Sequence, residues 1–176
     1  MKVLVAYGSK RGGTAGLAEM IGEELASAGA QPAVMPASQV KSVDGFDGVI
    51  LAGALYANRW HRDARRCAKR FASALRRRPV WLVSSGPLDD SATKAEISPV
   101  KQVAAAMEVT NALGHATFGG RLERDAKGFP ASAMAKKVAG DWRDREHVRR
   151  WVASIMGELE ASGGARPHGE GELHET

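Results

Sequence analysis

The chain has 176 residues, a length that fits one domain with a hydrophobic core of its own. Hydrophobic residues make up 44% and charged residues 26%, an ordinary globular composition that excludes wholesale disorder. Its one cysteine, Cys67, excludes an internal disulfide framework and a cysteine-based metal cluster. The formal net charge of +5 points to an anionic ligand or partner without identifying it.

Targeting signals are absent from the sequence pattern. The apolar stretch after Met1 is only as long as a strand, and no run approaches the ~20 apolar residues that span a bilayer. We therefore expect a cytoplasmic protein without a transmembrane segment, and peripheral contact with the inner face of the membrane stays open. Residues 1–161 are expected to form one domain, and residues 162–176 a flexible tail that is rich in Gly, Glu and His.

Apolar runs and helical periodicities alternate along the chain. Solid apolar runs predict strands that are buried on both faces, at residues 3–7, 33–35, 49–55, 80–84 and 115–119. Apolar residues three and four apart predict helices at 14–28, 61–75, 98–113 and 144–159. In the third of these helices, Ser98 is the expected N-cap and Pro99 the first helical residue.

This alternation predicts an α/β fold with a parallel sheet covered by helices on both faces. Ligands of such sheets bind beyond the carboxyl ends of the strands. The loops after the first, third and fourth predicted strands, at residues 8–14, 54–61 and 85–91, are therefore the places to look for a site.

The first of these loops, Ser-Lys-Arg-Gly-Gly-Thr at residues 9–14, predicts a phosphate-type ligand. Its glycines let the backbone close on an anion, and the following helix start offers free amides. An ordinary strand-to-helix turn also contains these residue types and stays the alternative. A Walker motif is excluded because Thr14 stands where lysine is required. No G-x-G-x-x-G dinucleotide fingerprint is present, and Gly53-Ala54 replaces the Asp expected in a receiver domain.

The loop of residues 9–14 resembles the phosphate loop of flavodoxins, which holds the phosphate of FMN. The strand ending in Gly53-Ala54, His61 at the next helix start, Phe-Gly-Gly-Arg-Leu at 118–122 and Gly-Asp-Trp-Arg-Asp at 140–144 are similar to the menaquinone-dependent protoporphyrinogen IX dehydrogenase group. The resemblance implies a flavodoxin-like three-layer α/β/α sandwich whose five parallel strands follow the order 2-1-3-4-5. It also implies FMN as cofactor and an oxidoreductase of heme biosynthesis that passes electrons from a porphyrinogen through the flavin to a quinone.

Carried onto this sequence, the resemblance implies three groups of FMN-binding residues. The phosphate would be held by Ser9, Lys10, Arg11, Gly12, Gly13 and Thr14. One side of the isoalloxazine would face the loop of Leu55, Tyr56, Ala57, Asn58, Arg59, Trp60 and His61, and its other edge Ser85, Gly86, Pro87, Leu88 and Asp89.

Three side chains of the loop after the third predicted strand are candidates for particular roles beside the flavin ring. Tyr56 and Trp60 are the candidates to stack on the ring, although Trp60 also begins the apolar stripe of the next helix. His61 is a weak candidate for proton transfer, and a helix cap is its ordinary alternative. No metal ligand set is expected.

A strongly basic segment follows, with nine Lys or Arg residues and one acid, Asp63, between Arg59 and Arg78. It suits an acidic redox protein partner, an anionic membrane surface or a polycarboxylate such as a porphyrinogen. A solvated helix face is the alternative, and no motif for reading nucleic acid is present. Cys67 lies on the apolar stripe of this helix and is expected in the core.

Three functions therefore remain open at the level of the sequence. The first is an FMN-dependent oxidoreductase that resembles protoporphyrinogen IX dehydrogenase. The second is a flavodoxin-type electron-transfer protein without small-molecule turnover. The third is a flavodoxin-fold interaction module that has lost FMN.

Overall fold

A computed structural model describes residues 1–122 and 140–163. Its strands are β1 Lys2–Gly8, β2 Gln31–Pro36, β3 Gly48–Tyr56, β4 Arg59–Trp60, β5 Val80–Ser85, β6 Gly114–Phe118, β7 Arg121–Leu122 and β8 Gly140–Asp141. Its helices are α1 Gly13–Ser27, α2 Arg62–Arg70, α3 Ala72–Leu75, α4 Ser91–Lys94, α5 Lys101–Thr110 and α6 Arg145–Gly163, with a 3-10 turn at Ala37–Gln39. Of the expected tail, residues 162 and 163 belong to α6, and the rest lies outside the described residues.

Five parallel strands form the sheet in the order β2-β1-β3-β5-β6, which confirms the expected 2-1-3-4-5 topology. At their carboxyl ends Gly8 pairs with Gly53, Ala54 with Ser85, and Ser85 with Phe118. The loops that leave these ends therefore meet along one edge of the sheet. No helix in the described part of the chain is long and apolar enough to cross a membrane.

Each central strand is buried on both faces because its alternate side chains enter two separate cores. In β1, Val3 and Val5 join the core beneath α1 and α6, and Leu4 and Ala6 join the core beneath α2 and α5. Cys67 belongs to the second core and is 5% exposed, as its position on the apolar stripe predicts. The fold is therefore a flavodoxin-like α/β/α sandwich.

Two predicted helices differ from those observed. The helix expected over 61–75 is divided into α2 and α3 at Phe71, which leaves helical geometry with φ −107°. The helix expected from Ser98 begins at Lys101. Val100, in extended conformation, is its N-cap and its carbonyl accepts the first N–H donors, so the assignment of Ser98 and Pro99 was wrong.

His115 on β6 is a half-buried histidine outside the candidate site. Its Nε2 lies 2.8 Å from Ser84 Oγ. Burial lowers the pKa of His115 from 6.5 to about 4, because the cation loses its hydration there. The unfolded chain therefore binds this proton at a higher pH than the folded chain does.

We expect the free energy of unfolding to fall as the pH decreases from about 6.5 toward about 4. His115→Gln keeps a hydrogen-bonding group beside Ser84 but cannot titrate, so it should lose less stability over this range. Urea unfolding of both proteins at several pH values in this window measures the difference. The same pH dependence in the variant and the parent protein would contradict the assignment to His115.

Candidate functional site

The loop between β1 and α1 has the geometry of an anion site. Ser9 Oγ accepts the N–H of Gly12 at 3.0 Å, and Gly12 adopts the left-handed conformation with φ +79°. Helix α1 then begins at Gly13 without a side-chain cap and without an acidic residue in its first turn. The first amides of a helix lack partners within it, so this end is open to a negatively charged group.

The start of α1 is enclosed by β7. Thr14 is 2% exposed, and a Cβ on Gly13 would lie 3.2 Å from the carbonyl oxygen of Arg121. The backbone of β7 therefore lies directly against the first turn. The sequence analysis did not predict this wall, because β7 is only two residues long.

A tight hairpin joins β3 to β4 beside this loop. Ala57 and Asn58 form its two-residue turn with φ values of +46° and +58°, and Leu55 pairs with Trp60. Positive φ at both central residues is typical of a type I′ turn, which matches the twist of antiparallel strands. The hairpin reverses the chain at the carboxyl edge of the sheet and places α2 next to β1.

Tyr56 connects the hairpin to the loop after β1. Arg11 Nε donates a hydrogen bond to Tyr56 Oη at 3.0 Å, and the guanidinium carbon lies 5.8 Å from the centre of the tyrosine ring. Tyr56 also packs with Leu88 and Leu122, in a small apolar cluster separate from the two cores. One end of the site is therefore built for an anion, and this cluster provides a flat apolar wall.

The loops after β5 and β6 are hydrogen-bonded to each other. Gly86 N–H donates to the Phe118 carbonyl at 3.1 Å, and Gly120 N–H donates to the Pro87 carbonyl at 2.8 Å. Trp142 N–H donates in turn to the Gly120 carbonyl at 2.9 Å. These bonds hold the two loops together as one side of the site.

The loops enclose a cavity of about 810 Å³, a size typical of small-molecule sites. The expected site residues that line it are Ser9, Lys10, Arg11, Gly13, Thr14, Leu55, Tyr56, Ala57, Trp60, His61, Ser85, Gly86 and Leu88. The lining residues outside the expected loops are Arg62, Asp63, Arg65, Gly120, Arg121 and Leu122, whereas Ala54 and Arg59 belong to the expected loop at residues 54–61. Arg62 and Arg65 belong to the basic segment, and their nearness in the sequence to this loop is the signal that could have found them.

Four expected site residues, Gly12, Asn58, Pro87 and Asp89, do not line the cavity. The first two shape turns through their positive φ, and the Pro87 carbonyl accepts from Gly120. Asp89 Oδ1 accepts the Ser91 N–H at 2.9 Å, and hydrogen bonds from Ser91 lower the pKa of this carboxyl. These contacts give the four residues roles in loop geometry.

Trp60 packs in the core. Its side chain is 1% exposed, its Nε1 donates to the Val83 carbonyl at 3.2 Å, and its indole lies where a Cβ on Gly53 would stand. Stacking of this ring on a flavin is therefore excluded by its burial, and the packing interpretation is correct. Tyr56 is left as the aromatic candidate of this loop.

His61 caps α2. Its Nδ1 accepts the Asp63 N–H at 3.2 Å, and the ring lies so close to β1 that a Cβ on Gly8 would come within 2.6 Å of it. Burial lowers the pKa of His61, which favours the neutral ring that this cap requires. Capping is thus the observed role of His61, and proton transfer stays a prediction.

The basic segment divides into two parts with different roles. Arg76 donates to the Val109 and Glu108 carbonyls at the end of α5, and Arg78 binds backbone carbonyls and Asp44. The second part remains on the surface of α2, at Arg62, Arg66, Lys69 and Arg70. A second groove, of about 580 Å³, lies beside this surface between α2 and the 3-10 turn.

The fold and the cavity define a doubly wound α/β protein with an anion site and an apolar wall at the carboxyl edge of its sheet. The chain belongs to the flavodoxin domain family, whose model matches residues 4–141. No curated protein matches it. FMN is the cofactor that this family membership indicates.

Solved structures share the fold at low sequence identity. A flavodoxin variant from Pseudomonas aeruginosa is 14% identical with a TM-score of 0.57, and the match covers 91% of this chain and 99% of that one. A flavodoxin from Streptococcus pneumoniae is 16% identical with a TM-score of 0.56, covering 90% and 99%. Rubredoxin:oxygen oxidoreductase from Desulfovibrio gigas is 15% identical with a TM-score of 0.63, covering 93% of this chain but 37% of that one.

The site fits FMN at both of its ends. The uncapped start of α1 suits the phosphate, and the cluster of Tyr56, Leu88 and Leu122 suits a flat apolar ring system. Among the described residues no group of His, Cys, Asp or Glu could hold a metal ion.

We expect Ser9→Ala combined with Thr14→Ala to weaken FMN binding roughly a hundredfold or more, since the variant removes two hydroxyls and hydrogen bonds to charged groups contribute about 1.5–3 kcal/mol each. Quenching of FMN fluorescence on titration with the apoprotein measures the affinity. Ser27→Ala is the matched control, because this serine bonds only to the Glu23 carbonyl at the far end of α1.

Unchanged affinity in the double variant would remove the assignment of the phosphate to this loop. Failure of the unaltered protein to take up FMN would instead support the third function, an interaction module.

Proposed function

We propose that the protein is an FMN-dependent oxidoreductase of the protoporphyrinogen IX dehydrogenase type, with a quinone as electron acceptor. The observation that supports it is the composition of the cavity. An apolar wall adjoins a lining with six cationic side chains and a single carboxylate among the described residues. A flat, apolar molecule that carries carboxylates matches this combination.

Residues of the loops at the carboxyl edge would hold the cofactor. Its phosphate would lie at residues 9–14, where the amides of α1 start and Lys10 brings a positive charge. Its ring would lie between Tyr56 on the hairpin and the loop of residues 85–89. When bound, FMN supplies the capacity to accept and release electrons, which the side chains here do not provide.

The side chains of the site would position the ring and exclude water. The Arg11–Tyr56 hydrogen bond holds the hairpin against the phosphate-type loop, which orients the tyrosine. Leu88 and Leu122 pack on Tyr56 and keep this side of the cavity apolar. Because these residues occupy one side of the cavity, the substrate would reach the flavin ring from the other side, which Arg59 and α2 line.

Anaerobic addition of protoporphyrinogen IX to the FMN-loaded protein tests this proposal. We expect the visible flavin absorbance to decrease on addition of the substrate and to recover on addition of a menaquinone analogue. Tyr56→Ala should slow both phases, because it removes the aromatic wall and the Arg11 contact. A flavin that is bound but whose absorbance does not respond to the porphyrinogen would contradict the enzyme function.

The exposed basic face of α2 favours a second candidate, an electron-transfer protein that docks an acidic redox partner. Arg66, Lys69 and Arg70 are exposed on neighbouring turns of the helix and line the groove between α2 and the 3-10 turn. Such a patch accelerates association with an oppositely charged protein, and salt screens the effect.

Charge reversal by Arg66→Glu with Lys69→Glu tests docking, with a reduced acidic ferredoxin as electron donor. We expect flavin reduction to slow at low ionic strength and the difference to vanish at high ionic strength. Lys41→Glu with Arg77→Glu changes the net charge equally at exposed positions outside α2 and is the control. Equal rates for all three proteins at low salt would rule out steering by α2.

A further inference from the structure

The cavity carries more positive charge than FMN alone would balance. Its cations are Lys10, Arg11, Arg59, Arg62, Arg65 and Arg121, and its one carboxylate among the described residues is Asp63. A phosphate brings about two negative charges. Lys10, Arg59, Arg62 and Arg65 alone exceed the charge of Asp63 and this phosphate together, so positive charge would remain with the cofactor in place.

Part of this charge is concentrated where α2 begins. Arg62 and Arg65 lie three residues apart and so share one side of the first turns of the helix. Arg62 Nε is 3.6 Å from Asp63 Oδ1, but the Arg62 side chain is 70% exposed, which makes this a weak ion pair. Asp63 thus offsets only a small share of the charge.

Arg65 has a donor that lacks an acceptor. Its Nε is buried and has no hydrogen-bond partner among the described residues, although the residue lines the cavity. Leaving a buried charged donor without an acceptor is unfavourable, and such groups are usually satisfied by a bound ion, water or ligand. Because Arg65 also lines the cavity, an anion there would compensate the charge of this guanidinium.

The electrostatics of His61 show that this cluster lies next to the phosphate-type loop. Burial is the largest cause of its lowered pKa, and Asp63 acts in the opposite direction. Arg62, Arg65 and Lys10 each lower the pKa further. The two arginines of α2 and a residue of the loop after β1 therefore act on the same imidazole from nearby.

We propose that Arg62 and Arg65 form a second anion-binding subsite of the cavity, beside the FMN phosphate site, which takes a carboxylate or phosphate group of the substrate. This inference rests on the proposed function, since it concerns a small molecule in the FMN cavity. It makes the two arginines specificity-determining residues. A neutral quinone has no group for this subsite, so the molecule recognised here is the anionic substrate.

A small ligand explains these observations better than an acidic protein does. Arg65 is half-buried and lines the cavity, where a small molecule reaches it more readily than a side chain on the surface of a partner protein does. The outward-facing cations Arg66 and Lys69 line the other groove and not this cavity. The two sets of cations therefore serve different surfaces of the same helix.

The test is calorimetric titration of the FMN-loaded protein with protoporphyrin IX, its dimethyl ester and NADPH. Protoporphyrin IX keeps the carboxylates of the porphyrinogen, the ester lacks both charges, and NADPH presents phosphates. The variants are Arg62→Gln with Arg65→Gln, the charge-conserving Arg65→Lys, and the matched control Arg66→Gln with Lys69→Gln. FMN content and urea unfolding are measured first, so that each variant is compared as a folded, loaded protein.

We expect the free diacid to bind the double Gln variant at least tenfold more weakly than the parent protein, with Arg65→Lys intermediate and the control unchanged. The ester should bind all four proteins alike. If NADPH alone depends on the two arginines, the subsite is correct with phosphate as its ligand, and the porphyrinogen function is wrong. If no ligand depends on them, the subsite is overturned, whereas flavin reduction by protoporphyrinogen IX still decides the proposed function.

Discussion

The packing of Trp60 against the sheet decides where the candidate site forms. Its indole occupies the space above Gly53, where any Cβ would overlap it, and its Nε1 donates to the Val83 carbonyl. Because this residue is anchored in the core, the chain must reverse immediately after Tyr56. The hairpin, the start of α2 at Arg62 and therefore much of the cavity wall depend on this one contact.

A second close contact follows from the first. His61, next in the chain, lies against Gly8 at the end of β1 and caps α2 through its Nδ1. The start of α2 is thereby held beside the loop that begins at Ser9. Two helix starts, those of α1 and α2, thus approach the same cavity, and both carry positive potential from their amides. The arginines of α2 add full charges to the partial charges of the helix starts, and the sum predicts a preference of the cavity for anions.

The basic residues of the chain have several different structural roles. Arg76 and Arg78 donate hydrogen bonds to backbone carbonyls of the loops at the opposite end of the sheet and stabilise these loops. Arg65 lines the cavity, whereas Arg66 and Lys69 face the second groove. Residues close in the sequence therefore contact loops, line the cavity or lie on the surface, because a helix distributes consecutive residues around its axis.

The sequence predicted the sheet well and the edges of the site poorly, for physical reasons. A strand buried on both faces is an unbroken apolar run, as residues 49–55 show, and it can be recognised in the sequence without knowledge of its neighbouring strands. The hairpin was missed because Ala57 and Asn58, whose φ values are positive, lack the glycine that usually marks a type I′ turn. Ser98 has the right chemistry for a cap, but the observed helix begins after Val100, whose carbonyl accepts its first hydrogen bonds.

The sequence alone determined the alternation of strands and helices and, through its resemblance, the sheet order, and it predicted an anion site at residues 9–14. These features depend on local propensity, burial and the freedom of glycine, which are encoded within short stretches. Only the tertiary structure decided that Trp60 packs and that His61 caps. It alone brought Arg62, Arg65 and Leu122 to the cavity. Such assignments depend on contacts between side chains that are far apart in the sequence. These contacts form only when the helices and loops pack against the sheet.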